Sequence, residues 1–250
     1  MTLLKHALSC SFSSHSKTEV KLEALPEVYP ADSVLFFPTR EMLSIFPGFA
    51  AAYRARELNF DRTYYDLALA LEAAPLRLPR VQEQNIIRQL EDLLGGVVLV
   101  ENGRFYLKMP EAGNFEIPLV AEGLRKIAML LYLLVNGQLR QNSVLLWDEP
   151  ETNLNPRLLR TLAGVLLALA RDGIQVFVAT HSLFLLRELY LQQLEGKAKK
   201  LNLKFFNLWR QAGKLQVDEG TSLDELGHIA ALEEDLAQSE RFFQAPAASS

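Results

Sequence analysis

Two short apolar runs, each stopped abruptly by polar chemistry, constrain this chain more than anything else in it. Residues 144–147 (VLLW) run into Asp148-Glu149-Pro150, and residues 175–180 (QVFVAT) run into His181-Ser182. Apolar runs this short, bounded this way, suit buried strands. Between them Leu158, Leu162, Val165, Leu166 and Leu169 recur at helical spacing up to Arg171, with Asn155 able to cap the helix and Pro156 suited to its first turn. Gly173 closes that helix, and another is predicted over 183–194. Strand, helix, strand, helix in this order implies parallel strands with covering helices, an α/β layer.

The rest of the chain is consistent with that frame. Residues 34–37 (VLFF), closed by Pro38, give a further short buried strand. The stretch 40–95 is helical in period. Leu67, Leu71 and Ala74 share one face, as do Ile86, Leu90 and Leu93 with their neighbours Ile87 and Leu94, while Pro75 and Pro79 punctuate between them. Gly95-Gly96 ends the block. Residues 97–100 and 104–108 flank Glu101-Asn102-Gly103, and Asn-Gly between β-rich runs predicts a hairpin. A helix over 124–136 stops at Gly137. A second hairpin is expected from 204–208 and 214–217 around Ala212-Gly213, and the first 33 residues read as irregular or strand-poor, with Pro26 and Pro30 marking a loop. No fixed-period repeat is present.

Composition removes several classes of function. At 250 residues, 49% apolar and 22% charged, the chain is neither disordered nor too small to build a core. One cysteine, Cys10, allows no internal disulfide and no cysteine-based zinc site, which points to a reducing compartment. No apolar run reaches the roughly 18 residues of a membrane span, and the N-terminus lacks a signal-peptide pattern, so a cytoplasmic protein without membrane contact is expected. The net charge of −4 gives no bulk attraction to nucleic acid. Charge is nevertheless segregated. Lys197, Lys199, Lys200, Lys204, Arg210 and Lys214 stand against Glu195 alone, whereas residues 218–240 carry acids and neither Lys nor Arg. The basic cluster is expected to be a solvated face, with a DNA or RNA backbone contact as the alternative reading. The acidic tail is expected to form a polar helical cap, and the last six residues to fray. His6, His15 and His228 have no metal-ligand spacing, no nucleophile elbow is present, and Trp147 and Trp209 are expected to pack.

The chemistry concentrates in residues 119–182. A buried parallel strand presents its C-terminal end to the ligand crevice of an α/β sheet. A carboxylate there suits Mg²⁺, which takes few protein oxygens and keeps waters and phosphates. A second carboxylate beside it can polarise an attacking water. The segment VLLWDEPETNLNP resembles the Walker B motif and D-loop of ABC-type ATPases, FVATHS resembles their H-loop strand, and VAEGLRK resembles their signature motif. Order and spacing match as well: 25 residues separate Gly123 from Asp148, and 33 separate Asp148 from His181. The likeness is to the SMC/RecF/OLD-like AAA family ATPases. It is strongest over 118–191 and looser over FFPTREMLSIFPGF and the acidic tail.

That resemblance implies a P-loop NTPase fold of ABC type, with a parallel-rich sheet and a helical insertion. It also implies ATP and Mg²⁺ as ligands and ATP hydrolysis coupled to conformational change in a partner. Asp148 would bind Mg²⁺ through water, and Glu149 would be the base on the hydrolytic water. His181 would reach the γ-phosphate. Gly123, at a helix start, would let backbone N–H groups approach the phosphate of ATP held by a partner subunit. Ala121 stands where the signature serine is usual, and Arg125 or Lys126 would supply compensating charge. Asn155, where the D-loop usually ends in Asp, would face a dimer interface. The division expected is an N-terminal remnant of the ATPase core over 1–39, an insertion and hairpin over 40–117, the core over 118–217 and an acidic tail over 218–250.

One motif is missing. No G-x-x-x-x-G-K-[ST] loop occurs in the sequence; its Gly-Lys pairs, Gly196-Lys197 and Gly213-Lys214, lack the earlier Gly and the following Ser or Thr. The family carries that loop ahead of these motifs, so the expectation is a C-terminal portion, incomplete at its N-terminus. Its partners would be a second copy or another ATPase subunit in a dimer, and a nuclease or DNA-associated effector. The alternative is a non-catalytic subunit that completes a partner's ATP site in trans through its signature helix, or acts only as an interaction module.

Overall fold

The computed structural model describes residues 9–11, 21–24, 33–56, 58–77, 83–196, 201–211 and 213–245. His6, His15, Pro26, Pro30, Pro79, Lys197, Lys199, Lys200, Ala212 and the end of the chain from 246 lie outside them, so the basic cluster is described only from Lys204 onward.

Three strands form the central sheet. β3 (Ser33–Phe37), β7 (Ser143–Asp148) and β8 (Gln175–Ala179) run parallel with β7 in the middle. Parallel neighbours require crossovers. The β7–β8 crossover is helix α5 (Pro156–Arg171), started by the Asn155 side chain, which accepts the Leu158 N–H at 3.0 Å, and by Pro156 in its first turn. The β3–β7 crossover is much longer. It contains α1 (Phe49–Arg54), α2 (Arg62–Leu71), α3 (Gln84–Leu94), a three-stranded antiparallel sheet of β4 (Val97–Glu101), β5 (Arg104–Met109) and β6 (Gly113–Glu116), and then α4 (Glu122–Val135). The predicted hairpin turns through Asn102 and Gly103, both with positive φ, at 51° and 72°, as a two-residue turn between twisted strands requires. Ahead of β3 lies an antiparallel pair, β1 (Ser9–Ser11) and β2 (Lys21–Ala24), where sequence patterning predicts little strand. β6 is likewise unannounced, because Gly-Asn-Phe-Glu has no β-rich signature. Ala74 falls beyond the end of α2 and is exposed, so only Leu67 and Leu71 use the predicted face.

The core is organised around α4. Residues 126–134 of this helix are all buried, and Lys126 is the one charged residue among them. One continuous cluster runs from Leu35 to Ile174 and joins α4 to Leu35 and Phe37 of β3, Leu145 and Trp147 of β7, and Leu162 and Val165 of α5. Phe37 and Trp147 meet edge to face at 5.1 Å, and Phe105 of β5 meets Tyr132 of α4 at 4.9 Å. Each fully buried leucine of this cluster contributes about 1.5–3 kcal/mol. The segment 40–117 therefore shares its core with the sheet.

A second, smaller cluster holds the C-terminal elements. Ala163 and Leu167 of α5, Leu185 and Leu189 of α6 (Leu183–Leu194), Phe205 and Leu226 form it. The expected second hairpin is β9 (Phe205–Gln211) paired with β10 (Lys214–Gly220). The acidic segment ends in α7 (Ala230–Gln244), which buries no residue, in keeping with a polar helix laid on the surface. Among the described residues no helix is long and apolar enough to cross a membrane.

Candidate functional site

The site grows out of strand alternation. Leu145 and Trp147 of β7 are buried, which sends Asp148 out at the strand's C-terminal end, in register with Ala179 of β8. The chain then turns sharply. Glu149 has φ 49°, a left-handed conformation that costs a non-glycine residue about 1–3 kcal/mol and persists only where its surroundings over-determine it. The Glu149 N–H donates to Ala179 O at 2.9 Å, which fixes the turn against the tip of β8. The result brings together the residues that the motifs nominate: Glu149 Oε1 lies 3.2 Å from His181 Nε2. The two side chains are unequal, with His181 93% exposed and Glu149 19% exposed. Burial pushes the Glu149 carboxyl above its ordinary range and nearby Glu151 pushes it further, while His181 pulls it down.

Asp148 faces a different neighbour. Thr39, just past the end of β3, donates its hydroxyl to Asp148 Oδ2 at 2.6 Å. The two line a cleft of about 660 Å³ together with Arg40, Tyr64, Glu122 and Thr152. That volume lies within the range of small-ligand pockets. The cleft sits at the C-terminal ends of β3 and β7, where open parallel sheets bind their ligands. Its donors are hard oxygens from carboxylates and hydroxyls, a chemistry that fits Mg²⁺. Among the described residues no group of three or more His, Cys, Asp or Glu is arranged to hold a metal ion unaided. Mg²⁺ does not require one, since one or two carboxylates with water and substrate phosphate suffice.

Glu151 is a site residue that sequence reasoning misses. Its Oε1 accepts the Thr180 hydroxyl at 2.5 Å and the N–H groups of His181 and Ser182, each at 3.1 Å. Ser182 in turn accepts the Leu185 N–H and starts α6. One carboxylate thus ties the turn after β7 to the segment that carries His181. Nothing in its sequence position signals this, because the helix start it serves, that of α6, lies some thirty residues further on.

The nominated residues of α4 are distributed differently. Ala121 is exposed at the N-cap position. Gly123 is buried, and a β-carbon there would lie 2.3 Å from the Asn153 carbonyl oxygen, so this glycine lets the helix start dock on the turn after β7. Arg125 Nη1 pairs with Glu41 Oε1 at 3.2 Å, and Glu41 is itself buried. Lys126 points inward. It is fully buried and donates to Glu149 O at 3.0 Å and to the Thr152 hydroxyl. Desolvation lowers its proton affinity, offset by Glu122, Glu151, Glu149 and Asp148. Asn155 is exposed, with its side-chain oxygen engaged in capping α5.

The model of a family described as "AAA domain, putative AbiEii toxin, Type IV TA system" matches residues 34–187. Among solved structures, the SMC head domain from Thermotoga maritima is 12% identical, with 84% of this chain and 67% of that one covered at a TM-score of 0.44. An Smc head domain with an extended coiled coil, bound to the C-terminal domain of ScpA and derived from Pyrococcus furiosus, is 13% identical, with 64% of this chain covered at a TM-score of 0.39; the chain spans 37% of that longer protein. The dimeric ABC transporter cassette MJ0796 is 11% identical, with 74% and 89% covered at a TM-score of 0.30. No curated protein matches the chain.

Proposed function

The chain belongs to the AAA-domain family described as a putative AbiEii toxin of a type IV toxin–antitoxin system, and from that membership we propose that it forms the acid- and histidine-bearing part of an ABC-type ATP hydrolysis site. The observation that carries this reading is the approach of Glu149 and His181 to 3.2 Å at the tips of two adjacent parallel strands, with Asp148 beside them opening onto the cleft.

Asp148, fixed by Thr39, and the cleft oxygens would hold Mg²⁺ through water; when bound, that ion neutralises charge on the phosphates. Glu149 takes a proton from the attacking water as the water oxygen bonds the γ-phosphorus and the bond to ADP breaks. A carboxyl whose proton affinity is raised by burial is the better base near neutral pH. His181, exposed and anchored through its own N–H, presents its ring to the γ-phosphate from beside Glu149. Ala121 and Gly123, at the start of α4, offer a helix N-terminus to the phosphate of a neighbouring subunit. Asn155 borders the same interface, and Arg125 reaches phosphate only on leaving Glu41. The nucleotide's remaining phosphate contacts come from a polypeptide with a Gly-rich Lys-Ser/Thr loop, because these 250 residues contain none. Coupling of hydrolysis to a nuclease or a DNA-associated partner belongs to the same proposal.

The missing loop also favours a second reading, in which the chain contributes only its α4 surface to a partner's site and hydrolyses nothing in its own. ATP turnover separates the two, measured for this protein mixed with a homologous subunit that carries the loop. Under the first reading Glu149→Gln in this chain lowers the turnover it contributes by about 10²–10⁴-fold, the typical worth of a general base. Under the second, Glu149→Gln has no effect and Ala121→Arg, at the exposed start of α4, abolishes stimulation of the partner. Turnover by this chain alone that survives Glu149→Gln removes Glu149 from the chemistry.

A further inference from the structure

Lys126 is a charged side chain in the least hospitable place the fold offers. It is 0% exposed, and residues 127–134 that follow it in the helix are all buried and carry no charge. None of the ion pairs among the described residues involves it. A lysine whose only task were to fill space would be replaceable by Met at no electrostatic cost, and most lysines at a core boundary extend their ammonium to water. This one is directed inward, onto the backbone of the catalytic turn.

Its contacts are specific. The ammonium donates to the Glu149 carbonyl and to the Thr152 hydroxyl, and that hydroxyl donates at 2.9 Å to the same Glu149 carbonyl. With the Thr152 N–H, which donates to it at 3.3 Å, three donors converge on the peptide oxygen of left-handed Glu149, and Lys126 is the only one of the three that comes from outside the turn. Burial works against the charge on the ammonium, while the fields of Glu122, Glu151, Glu149 and Asp148 favour it, so it also supplies positive charge to an acidic neighbourhood. One turn earlier on α4, Gly123 abuts the Asn153 carbonyl. The helix start and the turn after β7 are thereby joined at two points.

We propose that Lys126 is a positioning residue for Glu149: from inside the core it fixes the Glu149 carbonyl, holds the backbone in its left-handed turn and so aims the carboxylate at His181. Glu149's importance rests on the function proposed above, whereas the positioning itself does not. A corollary is that α4 and Glu149 shift as one body, so a phosphate engaged at the start of α4 bears on the acid in the same chain.

The test uses the full chain and needs no nucleotide. With ring-labelled histidine, the NMR signals of His181 are assigned by their loss in His181→Gln, and Glu149→Gln gives the position they take once the carboxylate partner is gone. Lys126→Met is expected to move the His181 signals to the Glu149→Gln position and leave the other three histidines in place. Lys126→Arg, which keeps a donor, is expected to restore them part of the way. Thr152→Val, which removes the bridge without altering the core, is expected to give a smaller shift in the same direction. A folded Lys126→Met with His181 at its wild-type position overturns the proposal. So does a Lys126→Met that fails to fold together with a Thr152→Val that leaves His181 unmoved, and so does a Glu149→Gln that does not shift His181. If these shifts occur while Glu149→Gln leaves ATP turnover unchanged, the hydrolysis reading fails and the positioning role stands.

Discussion

α4 and α7 are almost equal in length, at 14 and 15 residues, and could hardly be used more differently. In α4 the run from Lys126 to Leu134 is buried without a break, whereas α7 buries nothing and leaves Leu236, Phe242 and Phe243 at 56%, 77% and 85% exposure. α4 is held by neighbours on every side. α7 is attached through polar links, chiefly Arg187 to Asp235 at 3.0 Å and His228 to Glu233 at 2.9 Å. The difference teaches where strained chemistry can reside. Glu149 keeps a left-handed backbone because α4, β8 and Thr152 of its own turn over-determine it; a surface helix such as α7 has nothing that could hold a comparable conformation.

The sharpest way to break this comparison is to remove matched aromatic side chains from the two regions. Trp147→Ala takes a buried indole from behind Asp148 and is expected to cost about 3–5 kcal/mol, while Phe243→Ala on α7 stays within about 0.5 kcal/mol; urea denaturation of both variants decides it, and equal losses would mean the two regions are equally packed. Next in size is Gly123→Ala. The added methyl meets a backbone oxygen that cannot rotate away, so a loss of about 1–3 kcal/mol is expected, visible as a lower melting temperature. The smallest effect sharpens the contrast from the other side. Arg187→Ala removes the α6–α7 pair, both members of which are roughly two-fifths exposed; global stability should fall by less than about 1 kcal/mol, yet amide exchange along α7 should quicken while that along α4 does not change.

Much of the sheet is legible in the sequence because its signals are local. VLFF, VLLW and QVFVA announce β3, β7 and β8, Asn155-Pro156 announces α5, and Asn102-Gly103 announces the hairpin turn. The juxtaposition of Glu149 and His181 follows from the motif spacing together with parallel pairing. What escapes are contacts that bridge long separations. Thr39 reaches Asp148 across 109 residues and Glu151 reaches His181 across 30, and neither Thr nor Glu carries a pattern that names its partner. Lys126 is hidden for another reason. Lysine almost always sits at the surface, so sequence reasoning sends its charge outward to phosphate, whereas the fold turns it in to the Glu149 carbonyl. β6 and the β1–β2 pair escape because their residues lack β-rich character and are ordered by the strands beside them.

The alternation along β7 has one more consequence. Leu145 and Trp147 occupy the buried side, and Asp148 emerges only because it is the next residue after them. Loss or gain of a single residue between 143 and 148 would exchange the two faces, drawing the acid into the hydrocarbon interior and pushing an indole or a leucine into the cleft. The placement of the carboxylate is therefore inherited with the greasy residues that precede it, and a lineage that drifts in strand length would forfeit folding and the acid's place in the cleft in the same step.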